Sequence, residues 1–172
     1  FYSRPKDEFN FLIKLFKKEG NELKNDERLF KHKIKINFIG RIHMFDEELQ
    51  GMMKEIMDKT RNHDNLIVNF AMAYGGQEEV IDAVRRIAEQ VKENKLDVDK
   101  INEEVFENNL YMKSSPELII RTGGERRTSN FLNYQASYSE WIFLGKLWPE
   151  FDKQDFVECL QEYSERSRRF GR

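Results

Sequence analysis

The chain is poor in the features that brace secreted and membrane proteins. Its single cysteine, Cys159, excludes an internal disulfide and a cysteine-based zinc site. No apolar stretch approaches the roughly 20 residues that a helix needs to cross a bilayer, and no signal peptide is recognisable. Together these absences fit a cytoplasmic protein. A surplus of positive charge is missing too. The 29 Lys+Arg face 31 Asp+Glu, a net charge of -2, whereas nucleic-acid binders ordinarily carry a basic excess. No nucleic-acid partner is expected, and any cationic site must be local. Only three prolines occur in 172 residues, and no repeat, low-complexity tract or Pro/Gly/Ser linker divides them, so a single domain is expected.

What is present is material for a core. Hydrophobic residues make up 39%, with 14 Phe, enough to rule out disorder through low hydrophobicity. Pro5 precedes Phe9, Leu12, Ile13 and Phe16 at helical spacing. Gly20-Asn21 is expected to interrupt that helix, which resumes through Leu23 and Phe30. The alternating, Ile-rich stretch Lys33 to Gly40 predicts a strand. Leu49, Met52, Met53 and Ile56 give the next helix its apolar stripe. "NLIVNFAMAYGG" predicts a second strand ending in a Gly-Gly turn. Val80, Ile81, Val84, Ile87, Ala88 and Val91 then mark an amphipathic helix. "DVDKINEEVFENNLY" predicts a shorter helix starting at an Asp cap.

"ELIIRT" and "EWIFL" supply two further strands. Phe156, Leu160, Tyr163 and Phe170 mark a C-terminal helix with a basic end. The order implies an α/β fold, a mainly parallel sheet flanked by helices. Ligands of such sheets bind at the carboxyl ends of strands, where both Gly-Gly turns fall.

The densest chemistry lies in "ELIIRTGGERRTSNF", Glu117 to Phe131. Arg121 ends an apolar strand, where a guanidinium offers a planar fork suited to phosphate. Gly123 and Gly124 leave room for a tight turn or a ligand. Arg126 and Arg127 follow, and then Thr128, Ser129 and Asn130, three helix N-cap candidates. Two readings stand level on this pattern: an anion cradle, or an internal arginine–carboxylate pair with Glu125 or Glu117 as partner. No Walker-A or GxGxxG pattern is present, which disfavours a nucleotide. His32, His43 and His63 are scattered and read as surface or structural residues, and Cys159 as a buried, inert thiol. Trp141 and Trp148 read as packing residues.

These motifs resemble the cis-prenyltransferases, the undecaprenyl or polyprenyl diphosphate synthase family. The block "LIIRTGGERRTSNFLNYQASYSEWIFLGKLWPEFDKQDF" is similar to that family's C-terminal signature. "YSRPKDEFNFLIKLF", "INFIGRIHMFDEELQ", "VNFAMAYGGQEEVIDAVRRIAE" and "RSRRFG" follow the family's order. The resemblance implies repeated head-to-tail addition of isopentenyl diphosphate to an allylic diphosphate primer, with Mg2+ as cofactor. It assigns isopentenyl diphosphate to Arg121, Arg127 and Ser129, joined by Arg169 and Gly171 from a homodimer partner. It assigns the allylic diphosphate to Arg4 and a metal role to Glu140. It also implies peripheral membrane contact through the lipid product.

The apolar face of the first helix (Phe9, Leu12, Ile13, Phe16) is a candidate wall for a product tunnel, or simply core lining. The chain departs from the family pattern in two places. Ala73 and Gln77 stand where many members have Asn and Arg around the second Gly-Gly turn. The Met-Asp-Gly-Asn-Arg segment, with its metal-binding aspartate, has no match, and "FYSRPKDEF" reads as the interior of a longer protein. Residues 1–172 are therefore expected to be the C-terminal major part of one catalytic domain, inactive by itself. The alternative is a non-catalytic binding subunit of a heteromeric enzyme.

Overall fold

The computed structural model of the chain describes residues 5–166. Contacts divide the chain into two compact units that meet at Tyr74 and Gly75 in sequence. Residues 167–172 and 1–4, and with them Phe170, lie outside the described residues.

In the first unit, helix α1 (Lys6–Lys24) follows Pro5, with Asp7 and Glu8 in its first turn and Lys24 in its last, the polarity that suits a helix dipole. The expected break at Gly20 does not occur. Gly20 is buried inside a continuous helix, and a Cβ there would stand 2.4 Å from Met52 Sδ. Its small size serves helix packing, not chain reversal. A separate helix, α2 (Glu27–Lys31), starts where the Asp26 carboxylate accepts the Arg28 N–H at 2.9 Å.

Strands β1 (Ile34–Gly40) and β2 (Leu66–Met72) pair in parallel, Ile34 opposite Leu66 and Gly40 opposite Met72. Helix α3 (Glu47–Thr60) connects them and is capped by Asp46, which accepts the Leu49 N–H at 2.9 Å. Its predicted stripe is the core: Leu49, Met53 and Ile56 are each at most 1% exposed, a contribution of about 1.5–3 kcal/mol apiece. Ile13 and Phe16 of α1 pack on the Phe45–Leu49–Met53 cluster and so line core. Gly40 sits at φ 106°, where a Cβ would meet Met72 O at 2.2 Å; only glycine fits. The apolar run of β2 is only partly covered: Leu66 and Ile67 are 52% and 56% exposed.

In the second unit, α4 (Gly76–Lys92) follows the second Gly-Gly turn. Its buried positions are Gly76, Glu79, Ala83 and Ile87, while Ile81 and Val84 of the predicted stripe stand exposed. The face turns because Glu79 is needed inside: its Oε1 accepts the Tyr111 N–H at 2.8 Å and Gln135 Nε2 at 3.0 Å. A buried carboxylate is retained where it is hydrogen-bonded this way. The Asp97 carboxylate caps only a 3-10 turn, Val98–Lys100; α5 (Glu103–Asn108) begins at Asn102, which accepts the Val105 N–H at 2.9 Å.

Strands β3 (Leu118–Arg121) and β4 (Glu140–Phe143) pair in parallel, Leu118 opposite Glu140 and Arg121 opposite Phe143. Helix α6 (Lys153–Glu165) starts in a reciprocal cap. Asp152 Oδ1 accepts from the Gln154 and Asp155 N–H groups, and Asp155 accepts from Asp152 N at 2.9 Å. The fold is α/β and every strand pair among the described residues is parallel, as expected; the strands form two pairs, one in each unit. Among the described residues no helix is long and apolar enough to cross a membrane.

Candidate functional site

The apolar residues of β3 carry Arg121 to the carboxyl end of the strand, where the chain turns sharply. Gly123 and Gly124 take φ values of 94° and 77°, and a Cβ on either would meet nothing within 4 Å. Conformation, not space, requires glycine here. The turn is pinned to the segment after β4: Gly123 N–H donates to Lys146 O at 2.7 Å, Gly124 N–H to Leu144 O at 2.9 Å, and Leu144 N–H to Arg121 O at 2.8 Å. Lys146 is itself fixed to Asp155 of α6 by a 2.6 Å ion pair. That pair holds the Asp155 carboxyl below its ordinary range, with help from the Asp152 N–H.

The loop that follows folds back on the strand end. Arg121 Nη1 donates to Ser129 Oγ at 2.9 Å and also to the main-chain oxygen of Arg127. Among the described residues Arg121 pairs with no carboxylate, although it is half-buried. Its positive charge is therefore held in place by neutral oxygens alone. Arg127 differs: its exposed guanidinium lies 3.2 Å from Glu125. An arginine–carboxylate pair is thus present at Arg127, on the surface rather than inside the fold, while Arg121 is held by neutral oxygens among the described residues. Arg126 is exposed.

No α-helix starts at Thr128–Asn130, contrary to the N-cap reading. Ser129, Asn130 and Leu132 all take positive φ (49°, 63° and 49°), which a helix cannot use. Asn130 caps instead the helix that starts more than fifty residues earlier. Its main-chain oxygen accepts the Gly76 N–H at 2.7 Å, its Oδ1 accepts the Gln77 N–H at 2.8 Å, and its Nδ2 donates to Glu78 Oε2 at 3.0 Å. A Cβ on Gly76 would stand 2.9 Å from the Asn133 main-chain nitrogen. The second Gly-Gly turn is therefore small because this loop lies against it. The sequence signal for the contact is Asn130 itself, the residue that best tolerates the left-handed region after glycine.

Glu140 is not brought to this loop. It opens β4, opposite Leu118, three residues or roughly 10 Å along the strands from the Arg121 end. Its carboxylate is engaged by Arg166 at 2.8 Å, and the same guanidinium reaches Trp141 O and Glu162. Among the described residues no three acidic, histidine or cysteine side chains could together hold a metal ion. Mg2+ is commonly held by one or two carboxylates together with substrate phosphates; Glu140, the described residue with that assignment, is paired with Arg166. His63 is structural, its Nδ1 2.9 Å from Ile34 O, and Cys159 is buried, its thiol pushed up in pKa by desolvation. Trp141 stacks on Phe143 and Trp148 on Phe151.

With the Arg121–Ser129 geometry established, relatives give it a context. The family profile described as "Putative undecaprenyl diphosphate synthase" matches residues 2–171. The chain belongs to the undecaprenyl diphosphate synthase family. It is 41% identical to the tritrans,polycis-undecaprenyl-diphosphate synthase (geranylgeranyl-diphosphate specific) of Methanocaldococcus jannaschii, over 99% of this chain and 62% of that protein. It is 42% identical to the protein of the same description from Thermoplasma volcanium, over 99% of this chain and 67% of that one. The crystal structure of lavandulyl diphosphate synthase from Lavandula x intermedia, in complex with dimethylallyl diphosphate, superposes with a TM-score of 0.92 at 32% identity, covering 99% of this chain and 74% of that one. The chain thus spans about two thirds of the length of these curated relatives.

Set beside the undecaprenyl diphosphate synthase pattern, the substitution at Ala73 has a physical signature. Ala73 takes φ 46°, a conformation that asparagine adopts far more readily than alanine. Arg4, Arg169 and Gly171, which the resemblance also assigns to the substrates, lie outside the described residues.

Proposed function

We propose that this chain supplies the isopentenyl diphosphate site of a cis-prenyltransferase, with Arg121, Ser129 and Arg127 as the groups that hold the diphosphate. The observation that carries the reading is the half-buried Arg121 guanidinium, aligned on Ser129 Oγ and facing no carboxylate. A cation in that state gains most from a multiply charged anion. The Arg127–Glu125 pair is solvent-exposed; such pairs are worth about 0–1 kcal/mol, so a diphosphate replaces Glu125 at little cost. The left-handed stretch Ser129–Asn130, held by α4, fixes the hydroxyl before substrate arrives.

In the proposed reaction the π electrons of isopentenyl diphosphate attack the allylic carbon of the primer. The allylic carbon–oxygen bond breaks, diphosphate departs, and a proton leaves the new chain. Arg121 and Arg127 hold the non-departing diphosphate and so orient the nucleophile. Mg2+ comes from the family resemblance, which gives a metal role to Glu140 among the described residues. The names of the archaeal relatives bring geranylgeranyl diphosphate as primer and a polyprenyl diphosphate as product. The resemblance adds a cytoplasmic homodimer, with Arg169 and Gly171 reaching the neighbouring site, Arg4 at the primer and Glu140 near the metal. On this reading residues 1–172 make up the greater part of one catalytic domain.

The test is incorporation of labelled isopentenyl diphosphate into geranylgeranyl diphosphate with Mg2+ by the full-length parent, run beside direct binding of isopentenyl diphosphate to this chain. Binding with extension supports the enzyme. Binding without extension leaves the non-catalytic subunit, and absence of binding overturns the site.

A further inference from the structure

Gly75-Gly76, the second Gly-Gly turn, differs in kind from Gly123-Gly124. Gly75 takes φ -152° and Gly76 opens α4, conformations that other residues adopt freely. Space, not backbone freedom, requires glycine here. A Cβ on Gly76 would stand 2.8 Å from Asn133 Cγ and 2.9 Å from the Asn133 main-chain nitrogen. A Cβ on Gly75 would stand 2.9 Å from Asn130 Nδ2. The two glycines keep clear the surface on which the loop 130–133 rests.

Asn130 docks the loop on that surface. It accepts the Gly76 and Gln77 N–H groups at 2.7 and 2.8 Å and donates to Glu78 Oε2 at 3.0 Å. Asn133 Nδ2 donates to the same Asn130 Oδ1 at 2.8 Å. Ser129 is the residue before Asn130, sits at φ 49°, and takes Arg121 Nη1 on its hydroxyl at 2.9 Å. A planar peptide fixes neighbouring Cα atoms about 3.8 Å apart, so a displacement of Asn130 is passed on to Ser129.

We infer that Gly76 is a positioning residue for the diphosphate site: by letting the loop 130–133 lie against α4, it holds the Ser129 hydroxyl against Arg121. The inference rests on the reading of Arg121 and Ser129 as diphosphate groups. Gly76→Ala does not oppose α4 itself, since alanine is the better helix former. Its methyl group is driven instead into the Asn133 main chain, which cannot swing aside as the end of a side chain can. The loop lifts, and Ser129 moves with it. Binding of isopentenyl diphosphate should weaken about tenfold, the loss of roughly one hydrogen bond to a charged group.

Calorimetric titration of the whole chain with isopentenyl diphosphate, beside a thermal melt of each variant, tests this. Gly76→Ala and Ser129→Ala should each weaken binding about tenfold. The double variant should bind no more weakly than Ser129→Ala alone, because the first change acts through the second residue. Asn130→Gly, which keeps the left-handed backbone and drops both side-chain hydrogen bonds, should show the same non-additivity, and it decides the matter if Gly76→Ala does not fold. Folded Gly76→Ala that binds as tightly as wild type, or losses that simply add, overturns the positioning role. Wild-type chain that does not bind, or Ser129→Ala with unchanged affinity, overturns the diphosphate site itself and the positioning role with it.

Discussion

Asn130 Oδ1 accepts the main-chain N–H of Gln77 at 2.8 Å, closing the start of α4 from a loop more than fifty residues downstream. The residue before it, Ser129, takes the Arg121 guanidinium. One short left-handed stretch therefore caps a helix and shapes the candidate diphosphate site.

Removing that cap separates its two tasks. Asn130→Ala loses the Gln77 and Glu78 hydrogen bonds and also forces alanine into φ 63°. A lost cap costs about 0.5–2 kcal/mol and a left-handed alanine about 1–2 kcal/mol more. Asn130→Gly keeps the backbone and should lose only the first part. Urea denaturation of both variants checks this ordering; equal destabilisation by the two would show that the side-chain cap alone matters.

Ala73 offers a gain. Its φ of 46° is strained for alanine, and Ala73→Gly removes that strain. Glycine's extra freedom in the unfolded chain offsets roughly 0.4–1 kcal/mol of the relief. A net stabilisation on the order of 0.5–1 kcal/mol is expected from the difference. A fall in the midpoint of thermal unfolding would contradict it.

The turn that presents Arg121 should weaken in acid. The folded pKa of Asp155 lies below 3.8, chiefly through Lys146, whose carbonyl holds Gly123. A depressed carboxyl contributes stability that is present above its unfolded pKa and is lost as pH falls through the folded value. Wild type should exceed Asp155→Asn in urea midpoint at pH 7 and pH 5, and the gap should begin to narrow below about pH 4. A gap that does not narrow at all as pH falls below about 4 would assign the effect to packing rather than charge.

The order of strands and helices was legible because its signals are local. The Ile-rich alternation of β1 and the Leu49–Met53–Ile56 stripe of α3 are set by side-chain periodicity, and both recur in the fold. Tertiary demands were not legible. Gly20 looks like a helix break until Met52 is placed beside it. Glu79 looks like a solvated charge until Tyr111 and Gln135 are found to need its carboxylate. Nor does apolar composition state how many neighbours a strand has, as exposed Leu66 and Ile67 show. At the site, the family resemblance assigned Arg121 and Ser129 to one substrate, and their side chains lie 2.9 Å apart. The role of Asn130 depended on a contact across more than fifty residues, and no spacing rule encodes that.

The most direct measurement is the affinity of the chain for isopentenyl diphosphate before and after Arg121→Ala. Hydrogen bonds to charged groups contribute about 1.5–3 kcal/mol each, so the substitution should weaken binding roughly 10- to 100-fold. Arg121→Lys should recover only part of the loss, because an ammonium cannot reproduce the planar fork. An Arg121→Ala variant that remains folded and binds isopentenyl diphosphate as tightly as wild type would contradict the proposed site.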